Sequence, residues 1–261
     1  QYTMPPELLA SSCLRLAVGC EIERETLISF LLSAGYVRVE MVEGAGQFSV
    51  RGDIVDIYSP GSSDPIRIQF FDCEIEDMEY FDTVSQRRTE HLSSIELTPA
   101  REILIPDDAK AQLRSEIEAQ SKRVKDDRVR DMLLSELETL SSDREIGFRD
   151  KYISVIYPER TCLLDYISSP TLCCIVEENA VRDRLKACRA REEEMLRSLI
   201  SGGEVYGKHA DYAAPHERLD SFIRSTVAAY IDTFMARRSA RSDSLFSFTT
   251  KNTVCYGDNR E

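Results

Sequence analysis

The chain has 261 residues, 42% of them hydrophobic and 30% charged, with a net charge of −13. That size suits one large domain or two smaller ones, and the composition is that of a folded chain rather than a disordered one. The acidic balance argues against broad nonspecific binding of nucleic acid, which depends on neutralising phosphates with Lys and Arg; it suits solubility or a basic partner and still leaves room for a local basic patch. No apolar run approaches the roughly 20 residues that span a bilayer, and residues 1–9 lack the basic and apolar regions of a signal peptide. The sequence therefore reads as a soluble, cytoplasmic chain with no membrane partner.

The elements fall into three stretches. Residues 1–22 form a leading segment. Pro5 and Pro6 before Glu7-Leu8-Leu9 suit the first turn of a short helix. Leu14, Leu16 and Val18 then alternate with Arg15 and Ala17 as in a strand, up to Gly19. Residues 23–105 read as a compact module. A short amphipathic helix carries Leu27, Phe30 and Leu31 and is closed by Gly35. Strands are expected over 36–42, 47–51, 54–58, 66–71 and 73–81, broken by Gly44-Ala45-Gly46, Gly52-Asp53, 60–65 and Phe71-Asp72. Such short breaks imply antiparallel hairpins.

Residues 107–261 are mostly helical. Asp107 and Asp108 mark a helix start, and Leu113, Ile117, Val124, Leu133, Leu137 and Leu140 recur at helical spacing. A short helix is expected at 163–166, a buried strand at 172–176 and a long charged helix at about 181–199, stopped by Gly202-Gly203. A further helix is expected over about 216–236, and 245–248 could form a strand. The fold class is thus α+β: a small antiparallel β-rich module with a short helix, then a mainly helical α/β part.

Eight cysteines are present without a CxxC pair, and there are three histidines, so metal-ligand spacing is absent. Cys173 and Cys174 sit in an apolar run and are expected to be buried thiols. The sequence has no GxxxxGK[ST] phosphate loop, no GxGxxG and no triad, so no catalytic, cofactor or metal residues are assigned. Arg51-Gly52-Asp53 reads as a hairpin turn.

One constellation stands out. Side chains alternate along a strand. Ile66, Ile68 and Phe70 therefore take one face, while Arg67, Gln69 and Phe71 take the other. Phe48 and Val50 face opposite to Gln47, Ser49 and Arg51. The polar face thus carries Arg51, Arg67 and an out-of-place aromatic, Phe71. Such a set has the chemistry of an interface hot spot. It is also consistent with surface ion pairs of Arg51 and Arg67 to Asp53 or Glu40, with Phe71 tucked under a loop.

Gly35-Tyr36-Val37-Arg38-Val39, Val42-Glu43-Gly44 and the run from Gly46 to Tyr58 resemble the second domain of the bacterial transcription-repair coupling factor (Mfd) family and of its relative UvrB. So do Pro60-Gly61-Ser62, the run from Pro65 to Asp72, Glu74-Ile75-Glu76, Phe81-Asp82, Ser85-Gln86-Arg87 and Pro99-Ala100-Arg101-Glu102. The resemblance is dense over 14–105, thinner over 145–200 and weak beyond. Pro99-Ala100-Arg101-Glu102 favours the coupling factor over UvrB. So does Ile175-Val176-Glu177-Glu178-Asn179-Ala180, where UvrB carries an Asp-Glu-Ser-His helicase motif. Glu177 stands there in place of the Mg²⁺-organising Asp.

The resemblance implies a UvrA-docking module in which Arg51, Arg67 and Phe71 match the family's docking positions. It makes 107–261 part of a degenerate, helicase-like first domain without ATPase function. This chain would be non-catalytic and hold no cofactor. RNA polymerase, DNA, ATP and Mg²⁺ would be engaged by other parts of a longer, ATP-dependent DNA translocase. The alternative is a piece of UvrB itself, a nucleotide-dependent, DNA-loading helicase relative.

Overall fold

The computed structural model describes residues 1–142, 147–167, 170–205, 211–212, 214–233 and 246. The chain opens with α1 (Pro6–Ser11), β1 (Leu14–Ala17) and α2 (Arg24–Ser33). Strands β2 (Val37–Arg38), β3 (Gln47–Arg51), β4 (Ile54–Ile57), β5 (Ile66–Phe71), β6 (Glu74–Phe81) and β7 (Arg88–His91) then lie side by side in chain order as one six-stranded sheet. β8 (Ser94–Leu97) returns to pair antiparallel with β1. Helices α3 (Asp107–Ser121), α4 (Asp127–Leu140) and α5 (Ile153–Ile156) follow, then β9 (Leu172–Val176), α6 (Glu178–Ser201), α7 (His216–Ser225) and β10 (Val227–Ile231). Arg149–Tyr152 and Leu163–Tyr166 are single 3₁₀ turns. The fold is α+β.

Two apolar cores follow from the sequence pattern. In the first, the inward side chains Phe48, Val55, Ile57, Ile66, Ile68, Phe70 and Met78 cover one face of the sheet, and Leu27 and Leu31 of α2 pack with them. Each of these is at most 4% exposed, so removal of this surface from water is the main stabilising term here. Gly35 lets the chain leave α2: its φ is +85°, and a Cβ there would lie 2.9 Å from Cγ of Arg101. In the second core, Leu113, Ile117, Leu133 and Leu140 of α3 and α4 meet Tyr152, Ile153, Ile156 and Tyr157. Tyr2 and Met4 join this second core while Leu16 joins the first, so the leading segment is shared between them. The break between α3 and α4 has a local cause. Asp126 caps α4, its carboxylate accepting from the Arg128 amide at 2.9 Å.

The strands at 47–51 and 66–71 and the helix ahead of Gly35 form as expected. Other expectations are corrected. Of 36–42 only Val37–Arg38 is strand, and it pairs parallel with β3, against the antiparallel expectation. The Gln47 side chain accepts from the Glu43 and Gly44 amides at 2.9 and 3.1 Å, which holds the link as a loop, and Val42 turns inward. The helix expected to 236 ends at Ser225, because Val227–Ile231 is drawn into a parallel pairing with β9. Strand β9 forms but is not buried: Ile175 is covered, Cys173 half-buried and Cys174 exposed. The expectation of buried thiols fails because, among the described residues, nothing covers the face carrying Leu172, Cys174 and Val176. Strands β7 and β8 were not foreseen; β7 is exposed throughout and has no apolar alternation. The strand suggested at 245–248 lies outside the described residues except for Phe246. No helix among the described residues is long and apolar enough to cross a membrane.

Asp165 ties α7 to the 3₁₀ turn that contains it. It accepts from Arg218 Nη2 at 2.7 Å on each oxygen and from the Cys162 amide at 2.6 Å. Burial raises its pKa, but the Cys162 amide and Arg218 together outweigh this and hold it below the usual Asp value. A depressed folded pKa gives stability that is present above the unfolded value of about 3.9 and is lost as pH falls through the folded one. The melting temperature of wild type should therefore exceed that of Asp165→Asn at pH 7. The gap should narrow steadily below about pH 4, and a gap constant across that range would contradict the linkage.

Candidate functional site

The outer face of the six-stranded sheet is built by the same alternation that builds the core. Ser49 lies opposite Asp56, Asp56 opposite Arg67, and Arg67 opposite Glu79, so one polar row crosses β3, β4, β5 and β6. The turn joining β3 to β4 is the two-residue Gly52-Asp53, with Gly52 at φ +60° as a tight hairpin of this kind requires. It fixes the register that sets Asp56 between the two arginines.

The three predicted residues sit on this face in different states. Arg67 is nearly enclosed, its side chain 11% exposed. It grips Asp56 with a fork: Nε to Oδ1 at 2.7 Å and Nη2 to Oδ2 at 2.9 Å. It also donates to the Gln86 backbone carbonyl at 3.3 Å and to Gln86 Oε1 at 3.0 Å. Its guanidinium lies 4.3 Å from the centre of the Phe81 ring. The hydrogen bonds to Asp56 raise the Arg67 pKa, more than burial lowers it. Arg51 shares Asp56 through Nη2 but stays 47% exposed. Phe71, at the end of β5, is 72% exposed.

The ion-pair partners differ from those expected. Asp53 pairs with Arg24 at 3.0 Å, and it is the buried Asp56 that takes both Arg51 and Arg67. Sequence reasoning missed Asp56, Gln86 and Phe81. The signal for Asp56 was present: a lone acid within Ile54-Val55-Asp56-Ile57, on a strand expected to lie beside an arginine-bearing one. Phe71 is not tucked under a loop.

Asp77, Glu79 and His91 bring ligand atoms within 4.8 Å of one another across β6 and β7, which linear spacing could not reveal. Arg88 lies 2.8 Å from Glu79 and 3.6 Å from Asp77, so this group already carries its own cation. Elsewhere a groove of about 330 Å³ runs between β9–β10 and the two helices α6 and α7, lined by Ile175, Val181, Leu185, Ile223 and Tyr230. Its polar rim, Glu178, Arg182 and Asp220, is internally paired.

Residues 14–103 match the UvrB interaction domain family. That span begins with β1 and ends just past β8, the pair that closes the first core. The chain is 33% identical over 209 residues to the transcription-repair-coupling factor of Bacillus subtilis (strain 168), covering 77% of this chain and 18% of that protein. It is 36% identical over 121 residues to that of Myxococcus xanthus, covering 46% of this chain and 10% of the relative. A Staphylococcus epidermidis (strain RP62A) factor aligns over 258 residues at 24% identity, 96% of this chain and 22% of the relative.

The chain is homologous to the transcription-repair-coupling factors.

Its region of likeness contains the UvrB-homology segment, and it spans about a fifth of the length of the Bacillus subtilis and Staphylococcus epidermidis factors. The polar face bearing Arg51, Arg67 and Phe71 belongs to the part that matches the interaction-domain family. The helical part with α6 and α7 lies outside that match, and the alignment with the Staphylococcus epidermidis factor extends over it.

Proposed function

We propose that the chain is a UvrA-docking piece of a transcription-repair coupling factor, and that the outer face of its six-stranded sheet is the docking surface. Phe71 supplies apolar area and Arg51 supplies a guanidinium for a partner carboxylate; Arg67 completes the patch. In the longer protein this surface would hand a stalled RNA polymerase site to excision repair. ATP, Mg²⁺ and DNA would be handled by a translocase motor elsewhere, and this piece would perform no catalysis.

The observation that carries the reading is Phe71. A phenylalanine 72% exposed, on a strand whose inward residues are at most 4% exposed, leaves most of its ring free for a partner. Interfaces draw their energy from a few aromatic and arginine residues of this kind. Arg51→Glu and Phe71→Ala should each weaken UvrA capture by about thirtyfold, the equivalent of roughly 2 kcal/mol, with the circular dichroism spectrum unchanged. Binding should also weaken with added salt, since part of it is carried by an arginine. Undiminished capture by both variants would defeat the reading.

A further inference from the structure

The three docking positions are not equivalent, and the difference lies in what Asp56 does to each arginine. Asp56 is 1% exposed, so its charge is stable only if its oxygens are well partnered. Arg67 provides that partnering with a bidentate fork, the strongest geometry an arginine and a carboxylate can adopt. All three nitrogens of the Arg67 head are committed inside the protein, to Asp56 and to Gln86, and its plane rests over Phe81. It has little left to offer a partner.

Arg51 is the opposite case. It gives Asp56 one nitrogen, Nη2, and its side chain is about half exposed. Its remaining N–H groups have no acceptor among the described residues. One edge of the guanidinium is therefore anchored, and another is presented outward on the face that carries Phe71. An unanchored arginine on a strand end would have many rotamers to lose on binding; one held by Asp56 has fewer to lose.

We propose that Asp56 is the positioning residue of the docking patch. Clamped by Arg67, its buried carboxylate holds the guanidinium of Arg51 in place to receive a carboxylate of the partner. Arg67 thus acts through Asp56 rather than by touching the partner. This rests on the docking reading above.

A double-mutant cycle tests it, with the dissociation constant of the whole chain for UvrA measured in wild type, Arg51→Ala, Asp56→Asn and the double variant, each checked for folding by thermal melting. Asp56→Asn should weaken binding about tenfold in the wild-type background and less than about twofold when Arg51 is already alanine. An equal loss in both backgrounds would reduce Asp56 to a support of the fold and overturn the proposal. So would unchanged binding by a folded Asp56→Asn protein while Arg51→Ala is impaired, and in that case the docking reading survives. If instead Arg51→Glu and Phe71→Ala both bind normally, the docking reading itself has failed. Should Asp56→Asn not fold, Asp56→Asn with Arg67→Gln replaces a pair of opposite charges by two amides and takes its place in the same cycle, with the same outcomes decisive.

Discussion

Phe81→Ala is expected to lower the unfolding free energy by about 3–5 kcal/mol, the cost of removing a large aromatic from a closed site. Phe81 ends β6 and is 0% exposed; its amide is held by the Pro65 carbonyl at 3.0 Å. Two terms add. The ring's apolar surface is lost from the interior, and the cavity left behind lies directly under the Arg67 guanidinium, 4.3 Å from the ring centre. Arg67 would then be free to sink or tilt, and its fork on Asp56 would loosen. UvrA binding should fall as well, but only through the fold. Phe71→Ala makes the comparison sharp. It deletes the same side chain from a strand of the same sheet, yet at 72% exposure it should change stability by no more than about 0.5 kcal/mol. Urea unfolding of the two variants separates a phenylalanine that holds the sheet from one that faces a partner. Equal costs would mean that Phe71 also packs, and the docking reading would lose its main support.

The second large effect is expected in the helical part. Glu136→Ala should cost about 3–5 kcal/mol, because it strands a charge in the interior. Glu136 is 6% exposed on α4. One oxygen takes Lys151 Nζ, and the other accepts from the Tyr152 hydroxyl at 2.8 Å. Lys151 also stands over the rings of Phe148 and Tyr152, at 5.7 and 5.4 Å from their centres. Burial pushes the Tyr152 hydroxyl far above its ordinary pKa, and the neighbouring Glu136 charge adds to this, so the phenol remains a donor at any working pH. Without the carboxylate, Lys151 loses its counter-charge and keeps only the Glu204 carbonyl at 3.4 Å and Met132 Sδ at 3.7 Å, while the Tyr152 hydroxyl loses its charged acceptor. Replacing the whole set, Glu136→Leu with Lys151→Met and Tyr152→Phe, should recover most of the loss, since an apolar group of similar volume can stand in for a buried ion pair. Denaturant unfolding of the single and triple variants checks this. A Glu136→Ala protein as stable as wild type would show that the cluster is solvated and contributes little.

Much of the β-rich module was legible in the chain. The alternation in Ile66–Phe71 is strict, and the burial along β5 follows it residue by residue. Gly35 and Gly52 stand where the backbone needs positive φ, which marked the end of α2 and the hairpin between β3 and β4. The same alternation gathered Arg51, Arg67 and Phe71 on one face. Reading failed where local pattern is silent. Arg88–His91 has no apolar residue to alternate, and Val227–Ile231 could as well have continued a helix as entered a strand.

By itself the sequence determined which residues could share a face, because a strand's period of two is local and admits one answer. It also determined where the chain must turn. Only the tertiary structure decided what those shared residues do. Cross-strand register, set by the Gly52-Asp53 turn and the pairing of β4 with β5, put Asp56 rather than Asp53 or Glu40 between the arginines. Closure of the β6–β7 turn brought Gln86 over Arg67 and made that residue internal, while Arg51 and Phe71 stayed outside. Partner choice of this kind depends on contacts between residues distant along the chain, and the pairing of strands that creates them leaves no mark in any single segment.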